Sequence, residues 1–509
     1  MESEMSPKAK AEYNLGDAEA DQGIGQIDHV KHKFGKLSML SLSVSLMATW
    51  EALCSTMVSG LVSGGPPALI YGFIISFIGS LATAASLAEL ASMFPTAGGQ
   101  YHFISKMAPL RIVKGLSWVV GWITTFGWIA VAASAPFLSG TMIQGLLVLN
   151  YDSYAFQRWH GTLIYWAILV ISAIVNIQGS RVLPVVENLS LGFHVVAFII
   201  VFVVICVVSP TKHVPEFVFV DTINNSGWGN NGIAWCVGML SSCYVLVGYD
   251  AAIHLCEEMK DPRTDIPLAM VGAVLINGTM GFGFLVAILF CMGDLKSALD
   301  TTTGYPIIEI FYNITGNSRS ATALCSTIVI MAGLASIPLL TSASRMVWVL
   351  ARDKALPATT WLSKMDERRQ IPTIAVAVTS FLLGLLGLIN IGSTSAFNAI
   401  VSLAVFGLEI SYLIPLCFLL YQRTVFPETI TPGPWSMGRY GIGVNVLSIC
   451  FLVFSCIFLL FPPYQPLTAE NMNYACLVFG SVCIFSGVYW LFKGRSVYEG
   501  PILPDFENL

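Results

Sequence analysis

Two carboxylates stand where a membrane-length apolar stretch would exclude them, one in each half of the apolar region over about 38–420. Glu51 sits in Ser45-Leu46-Met47-Ala48-Thr49-Trp50-Glu51-Ala52-Leu53-Cys54, and Asp250 in Cys243-Tyr244-Val245-Leu246-Val247-Gly248-Tyr249-Asp250-Ala251-Ala252-Ile253-His254. A charged side chain at the centre of a bilayer costs at least about 2.5 kcal/mol, so it marks a site by default. Interrupted apolar segments at corresponding positions of two halves point to a transporter's binding site, where unwound backbone offers N–H and C=O groups to a polar ligand. Glu51 reads in two ways: a paired structural carboxylate, or an anionic wall for an amine or cationic head group. Gly248 tolerates backbone conformations that break a helix. Asp250 and His254 are four apart and share a face if the helix resumes there, a pair able to take up and release a proton. Glu257 and Glu258, just before Lys260-Asp261-Pro262-Arg263, read as solvated or gate-forming.

Weaker candidates surround these. His194, in Leu191-Gly192-Phe193-His194-Val195, is a lone histidine in an apolar segment, either a packing residue or a proton carrier. Trp118, Trp122, Phe126 and Trp128 are membrane anchors or a cation–π wall. Glu409 needs a partner that the sequence does not name. Ser342 and Ser344 could bring hydroxyls to a sodium ion, but small residues packing helix against helix is the preferred reading. The twelve cysteines lie mostly in apolar segments without paired spacing and read as packing residues. There is no Walker-type phosphate loop, nucleophile triad or metal-ligand cluster. The expectation is a protein that is not an enzyme, without cofactor or metal and with no nucleic-acid partner.

The elements that must position these residues are legible from hydropathy. Charged residues make up 11% of the 509 and hydrophobic ones 55%, against roughly 25% charged in soluble proteins; mean hydropathy is +0.73. About twelve spans are expected, near 38–63, 67–91, 113–147, 160–178, 186–208, 232–256, 267–291, 321–350, 372–390, 395–420, 442–461 and 472–492. With both termini on the cytoplasmic side, all of the 25 basic residues except Arg158, Lys212, Lys296 and Arg319 fall inside, as the positive-inside rule demands. Two sequons, at Asn224 and Asn313, fall in outside loops. The expected organisation is a disordered cytoplasmic tail over 1–34, a transport core over 35–420, two further helices over 421–492, and a cytoplasmic tail over 493–509.

Several stretches carry a resemblance. They are Ser63-Gly64-Gly65-Pro66, Ala88-Glu89-Leu90-Ala91-Ser92 and Pro95-Thr96-Ala97-Gly98-Gly99-Gln100-Tyr101. They continue with Gly248-Tyr249-Asp250 through Asp261-Pro262-Arg263, then Ala351-Arg352-Asp353-Lys354-Ala355-Leu356-Pro357, Ser411-Tyr412-Leu413-Ile414-Pro415 and Tyr498-Glu499-Gly500-Pro501. Together, from Phe34 to about Pro501, they resemble the amino acid–polyamine–organocation superfamily, and its fungal amino acid/choline permease branch. The resemblance implies an all-α membrane fold: a five-plus-five inverted repeat (about 38–208 and 232–420) plus two carboxyl-terminal helices. It implies a permease at the plasma membrane for choline, 4-aminobutyrate, amino acids or related small amines, usually coupled to protons. By position, Thr49, Trp50, Glu51 and Ala52 match the first unwound segment, and Gly248, Tyr249 and Asp250 the second. His194 falls where many proton-coupled relatives carry a lysine, which adds it to Asp250 as a proton-coupling candidate. The small glycine-rich triplet of the superfamily's first span is Trp50-Glu51-Ala52 here, which favours a ligand with a positive group. The leading expectation is thus a proton-coupled importer of a small amine-containing solute. The alternatives are a neutral amino acid or 4-aminobutyrate permease or exchanger, and a nutrient receptor that does not transport.

Overall fold

The computed structural model describes residues 34–178, 182–392, 396–468 and 471–502. The tail expected over 1–34 lies outside the described residues but for Phe34, as do residues 503–509 of the second tail. Among the described residues, twelve helical spans are long and apolar enough to cross a membrane: Lys36–Val62, Gly65–Met93, Leu110–Asn150, Arg158–Gln178, Leu183–Val208, Asn231–Glu258, Pro262–Cys291, Ser318–Arg352, Thr373–Gly392, Ser402–Val425, Gly438–Phe458 and Ala475–Val497. These are the twelve expected, with ends moved by a few residues. The tenth differs most, because its helix runs on to Val425.

The span ends follow local chemistry. Pro66 and Pro67 open the second span, where proline's fixed φ suits a first helical turn and its missing N–H costs nothing. Asn230 and Asn317 cap the sixth and eighth, each side chain accepting from backbone N–H groups of the first turn. The fifth span faces neighbours on one narrow stripe of Leu183, Glu187, Ser190, His194, Ala197, Val201 and Ile205. This repeat of three and four is one face of a helix. Its other faces expose Val185, Leu189, Val196, Ile199 and Val203, the pattern of a helix against lipid.

Spans one, two, six and seven pack on one another, and so do spans three, four, eight and nine. Spans ten to twelve close the bundle against two and three. Short helices outside the spans, such as Gln100–Met107 and Pro306–Thr315, were not anticipated. A two-residue antiparallel pairing of Ser63–Gly64 with Ile223–Asn224 ties the first hairpin to the loop before the sixth span. Lys114 and Trp118 of span three bond to span twelve near Arg495 and Ser486, and Phe34 N–H donates to the Glu258 carbonyl at 3.2 Å. The described ends of the chain therefore share one face of the bundle, called the terminal face below.

Candidate functional site

Spans one and six are both broken, and the breaks lie side by side. Span one divides into Lys36–Met47 and Thr49–Val62 at Ala48, which adopts φ 40° and ψ 51°. The break is thus one residue wide and precedes the expected segment: Thr49, Trp50, Glu51 and Ala52 form the first turn of the second half-helix. Span six leaves its α-helix after Val245, turns at Gly248 with φ 94°, and resumes as a tight 3-10 helix over Tyr249–Glu258. A side chain at Gly248 would take a left-handed backbone at a steric cost, and its Cβ would lie 3.1 Å from Leu46.

Backbone groups freed by a break must find partners, because lipid offers none. The Thr49 hydroxyl donates to the Val245 carbonyl at 2.6 Å, so each break helps satisfy the other. Asn277, from span seven, accepts from Thr49 N–H at 3.1 Å and donates to the Val44 carbonyl at 3.2 Å. Span seven comes this close because of Gly281, where a Cβ would stand 2.7 Å from the Thr49 methyl. Thr49 is thereby a tie between the broken helices, and Asn277, in the apolar run of span seven, is not among the candidates read from the sequence.

A pocket with about 480 Å³ of empty space, continuous with its opening, lies between spans one, three, six and eight. Its wall includes Ala48, Glu51, Ala52, Ser134, Tyr244 and Val247 among otherwise apolar residues. Of the predicted site residues, Glu51 and Ala52 line it; Thr49, Trp50, His194, Gly248, Tyr249 and Asp250 do not. Glu51 is buried, and its Oε1 accepts from His194 Nδ1 at 2.8 Å. The second carboxylate oxygen of Glu51 and the second ring nitrogen of His194 have no hydrogen-bond partner among the described residues. Trp50 walls off the pair, its ring against those of His194, Phe198 and Phe284. The imidazole and the carboxylate form one unit: neutral overall when the histidine is charged, anionic when it is not.

Asp250 is placed differently. Its Oδ1 accepts from Tyr412 OH at 2.6 Å, and its Oδ2 from Gln100 Nε2 at 2.6 Å and Trp128 Nε1 at 3.2 Å. His254 Nε2 lies 3.4 Å away without hydrogen-bond alignment, while its Nδ1 donates to the Ala97 carbonyl at 2.9 Å. Asp250 thus fastens the inner half of span six to spans three and ten and to the 94–109 segment. Tyr249 stacks near Tyr412, ring centroids 5.5 Å apart. Of the aromatic candidates, Trp128 serves Asp250, while Trp118 and Trp122 pack on span twelve beside Tyr489. Glu409 finds its partners on span eleven, the Ser455 hydroxyl and the Cys456 thiol. The Ser344 hydroxyl bonds back to the Thr341 carbonyl, and that of Ser342 has no partner in the protein.

Beyond Asp250 the terminal face is shut. Glu257 and Glu258 receive Arg352 at 3.0 Å and Arg345 at 3.1 Å. Asp353 accepts from Tyr101 OH at 2.8 Å, and His102 Nε2 lies 2.8 Å from the same oxygen. Burial and the Asp353 carboxylate push the Tyr101 phenol well above its usual range, which keeps its proton on and donating. The arginines were visible as charges at span ends; their pairing was not.

The comparisons with known proteins agree with this architecture. The family model described as amino acid permease matches residues 34–482. A putative amino acid/polyamine transporter of Macrophomina phaseolina is 34% identical over 86% of this chain and 96% of its own length. The choline transporter of Saccharomyces cerevisiae is 30% identical over 94% of this chain and 84% of its own, and the GABA-specific permease of that yeast is 28% identical over the same shares. With its broken first and sixth helices around a central pocket, the chain belongs to the amino acid permease family of the amino acid–polyamine–organocation superfamily and is a membrane transporter.

Proposed function

We propose that the protein imports a small amine-bearing solute, an amino acid or choline, by secondary transport driven by protons. The observation that carries this reading is Glu51: a buried carboxylate on the pocket wall, hydrogen-bonded to a histidine that can hold the proton. Its free oxygen offers an ammonium group a charge-assisted hydrogen bond. Two of the relatives carry names consistent with such ligands, one for choline and one for GABA. The distribution of basic residues supports cytoplasmic termini, since Arg158, Lys212, Lys296 and Arg319 stand at the face opposite the termini. A plasma-membrane location follows the family's habit.

The pairing of Glu51 with His194 also favours a second reading, a permease for neutral amino acids or 4-aminobutyrate. A cation that draws Glu51 away from His194 weakens the hold on the proton. A zwitterion can meet the charged pair with both of its own groups, so substrate and proton bind together. Uptake of labelled choline separates the two readings, in cells lacking their own carriers, at two external pH values, with unlabelled 4-aminobutyrate, amino acids and polyamines as competitors. Saturable choline uptake blocked only by quaternary amines supports the cation reading. No choline uptake, with acid-stimulated 4-aminobutyrate or amino acid uptake, moves the protein to the zwitterion permeases. Binding of any of these without uptake makes it a receptor and ends the transport proposal.

A further inference from the structure

Glu187 is the one buried carboxylate on the stripe that carries His194, and nothing above uses it. It lies in the first turns of span five, fully buried, and neither carboxylate oxygen has a hydrogen-bond partner among the described residues. Glu187, Ser190 and His194 occupy successive positions of the same inward stripe. Seven residues of helix separate the carboxyl from the imidazole along the axis by about 10 Å. The Ser190 hydroxyl stands between them and bonds back to the Val186 carbonyl at 2.8 Å.

Hydroxyl groups stand on the elements packed against this stripe. The first half of span one packs along it, and Ser41 there donates to Asn188 at 2.9 Å. Ser43 and Ser45 of the same half-helix, and Ser342 of span eight, are buried hydroxyls without partners among the described residues. The charged groups of the elements packed on span five are engaged elsewhere or stand at its ends. Lys36 of span one pairs with Asp265 of span seven at 3.5 Å, and Arg345 and Arg352 of span eight pair with Glu258 and Glu257. Arg263 begins span seven at the terminal face; Arg319 and Glu309 lie at the opposite end. Glu51 is held by His194 itself. Among the described residues no cation pairs with Glu187; a buried carboxyl without one is costly to keep charged, and a proton removes that cost.

We infer that Glu187 is a second proton-carrying station, which takes the proton from His194 and releases it at the terminal face. The inference rests on the proton-coupled reading above. The imidazolium of His194 gives up a proton and becomes neutral; the carboxylate of Glu187 gains it and becomes the neutral acid. Ser190 and water carry it across the intervening turns. While the terminal face is shut, as here, Glu187 is cut off from the water beyond that face and retains the proton. When the ion pairs of Glu257 and Glu258 part and water reaches the start of span five, hydration of the carboxylate lets the proton leave. Glu187 returns to the cycle charged and ready for the next.

The test uses the purified full chain in proteoliposomes with a trapped pH dye, and labelled choline, 4-aminobutyrate and the common amino acids as probes. Counterflow exchange reads the carrier's movement without net proton transfer; accumulation under an inward proton gradient, with acidification, reads coupling. Glu187→Gln is expected to keep counterflow within about twofold of the unaltered protein and to lose gradient-driven accumulation and acidification by at least about tenfold. Glu187→Asp should recover part of the loss. Undiminished acidification in Glu187→Gln overturns the inference and leaves the proton-coupled reading intact. A parallel fall of counterflow and accumulation also overturns it, because it marks a structural carboxyl. If the unaltered protein accumulates no probe, or accumulates one without acidification, the proton-coupled reading itself fails and the inference with it.

Discussion

At the scale of single residues, the pairing of Glu51 with His194 decides how the protein should respond to pH. Removing one member of a buried pair strands the other, at a cost of about 3–5 kcal/mol, whereas replacing both is far cheaper. His194→Ala should therefore flatten the dependence of uptake on external pH. Glu51→Gln should weaken an amine-bearing substrate by about tenfold or more, read as a rise in KM, since a charge-assisted bond is worth about 1.5–3 kcal/mol. Uptake by Glu51→Gln with unchanged KM and unchanged pH profile would remove the carboxylate from substrate and proton alike. Sequence alone offered both residues as candidates but could not join them. They are 143 positions apart, and only the packing of span five on span one brings them within a hydrogen bond.

At the scale of the elements, the two breaks hold one another open. Helices stop where the backbone finds better partners than its own next turn, and here those partners come from across the site. Thr49 bonds to Val245, and Asn277 reaches both Thr49 and Val44. Asn277→Ala leaves the Thr49 N–H without its acceptor beside the pocket, while the Val44 carbonyl keeps the Ala48 N–H at 3.1 Å; the cost is about 1–2 kcal/mol. The expected result is a melting temperature lowered by a few degrees and a larger loss of uptake than of folded protein. An uptake loss no greater than the loss of folded carrier would mean that the bridge serves stability alone. The approximate positions of the breaks were legible, because Gly248 and the two intramembrane carboxylates interrupt the hydropathy pattern. The exact residue in span one was not: Ala48 is a good helix former, and its left-handed backbone is imposed by contacts with spans six and seven that no local pattern records.

At the scale of the whole molecule, the twelve spans were legible from apolar runs and basic ends, since both are properties of each segment taken alone. What the sequence could not show is which face of the pocket is shut, because that is a matter of pairing between distant segments. The terminal face is closed by Arg345 on Glu258, Arg352 on Glu257, and Phe34 against Glu258 and Met259. Transport requires these contacts to part in turn, so their strength sets the balance between closed and open terminal faces. Arg352 also lies with its guanidinium 4.8 Å from the Trp348 ring, which anchors it to span eight. Replacing Arg352 by Gln gives up a hydrogen-bonded ion pair worth about 2 kcal/mol, which shifts the balance toward the open face by roughly thirtyfold. Cys256, buried beside Glu257 in the inner half of span six, is a built-in reporter. Its alkylation by a small thiol reagent, followed on its own peptide, should speed up by a comparable factor in Arg352→Gln. The exchanged pair, Arg352→Glu with Glu257→Arg, should slow it again. If Cys256 stays as protected in a folded Arg352→Gln protein as in the unaltered one, these ion pairs are not what closes the face, and the Asp250 network with Tyr412, Gln100 and Trp128 must carry the closure instead.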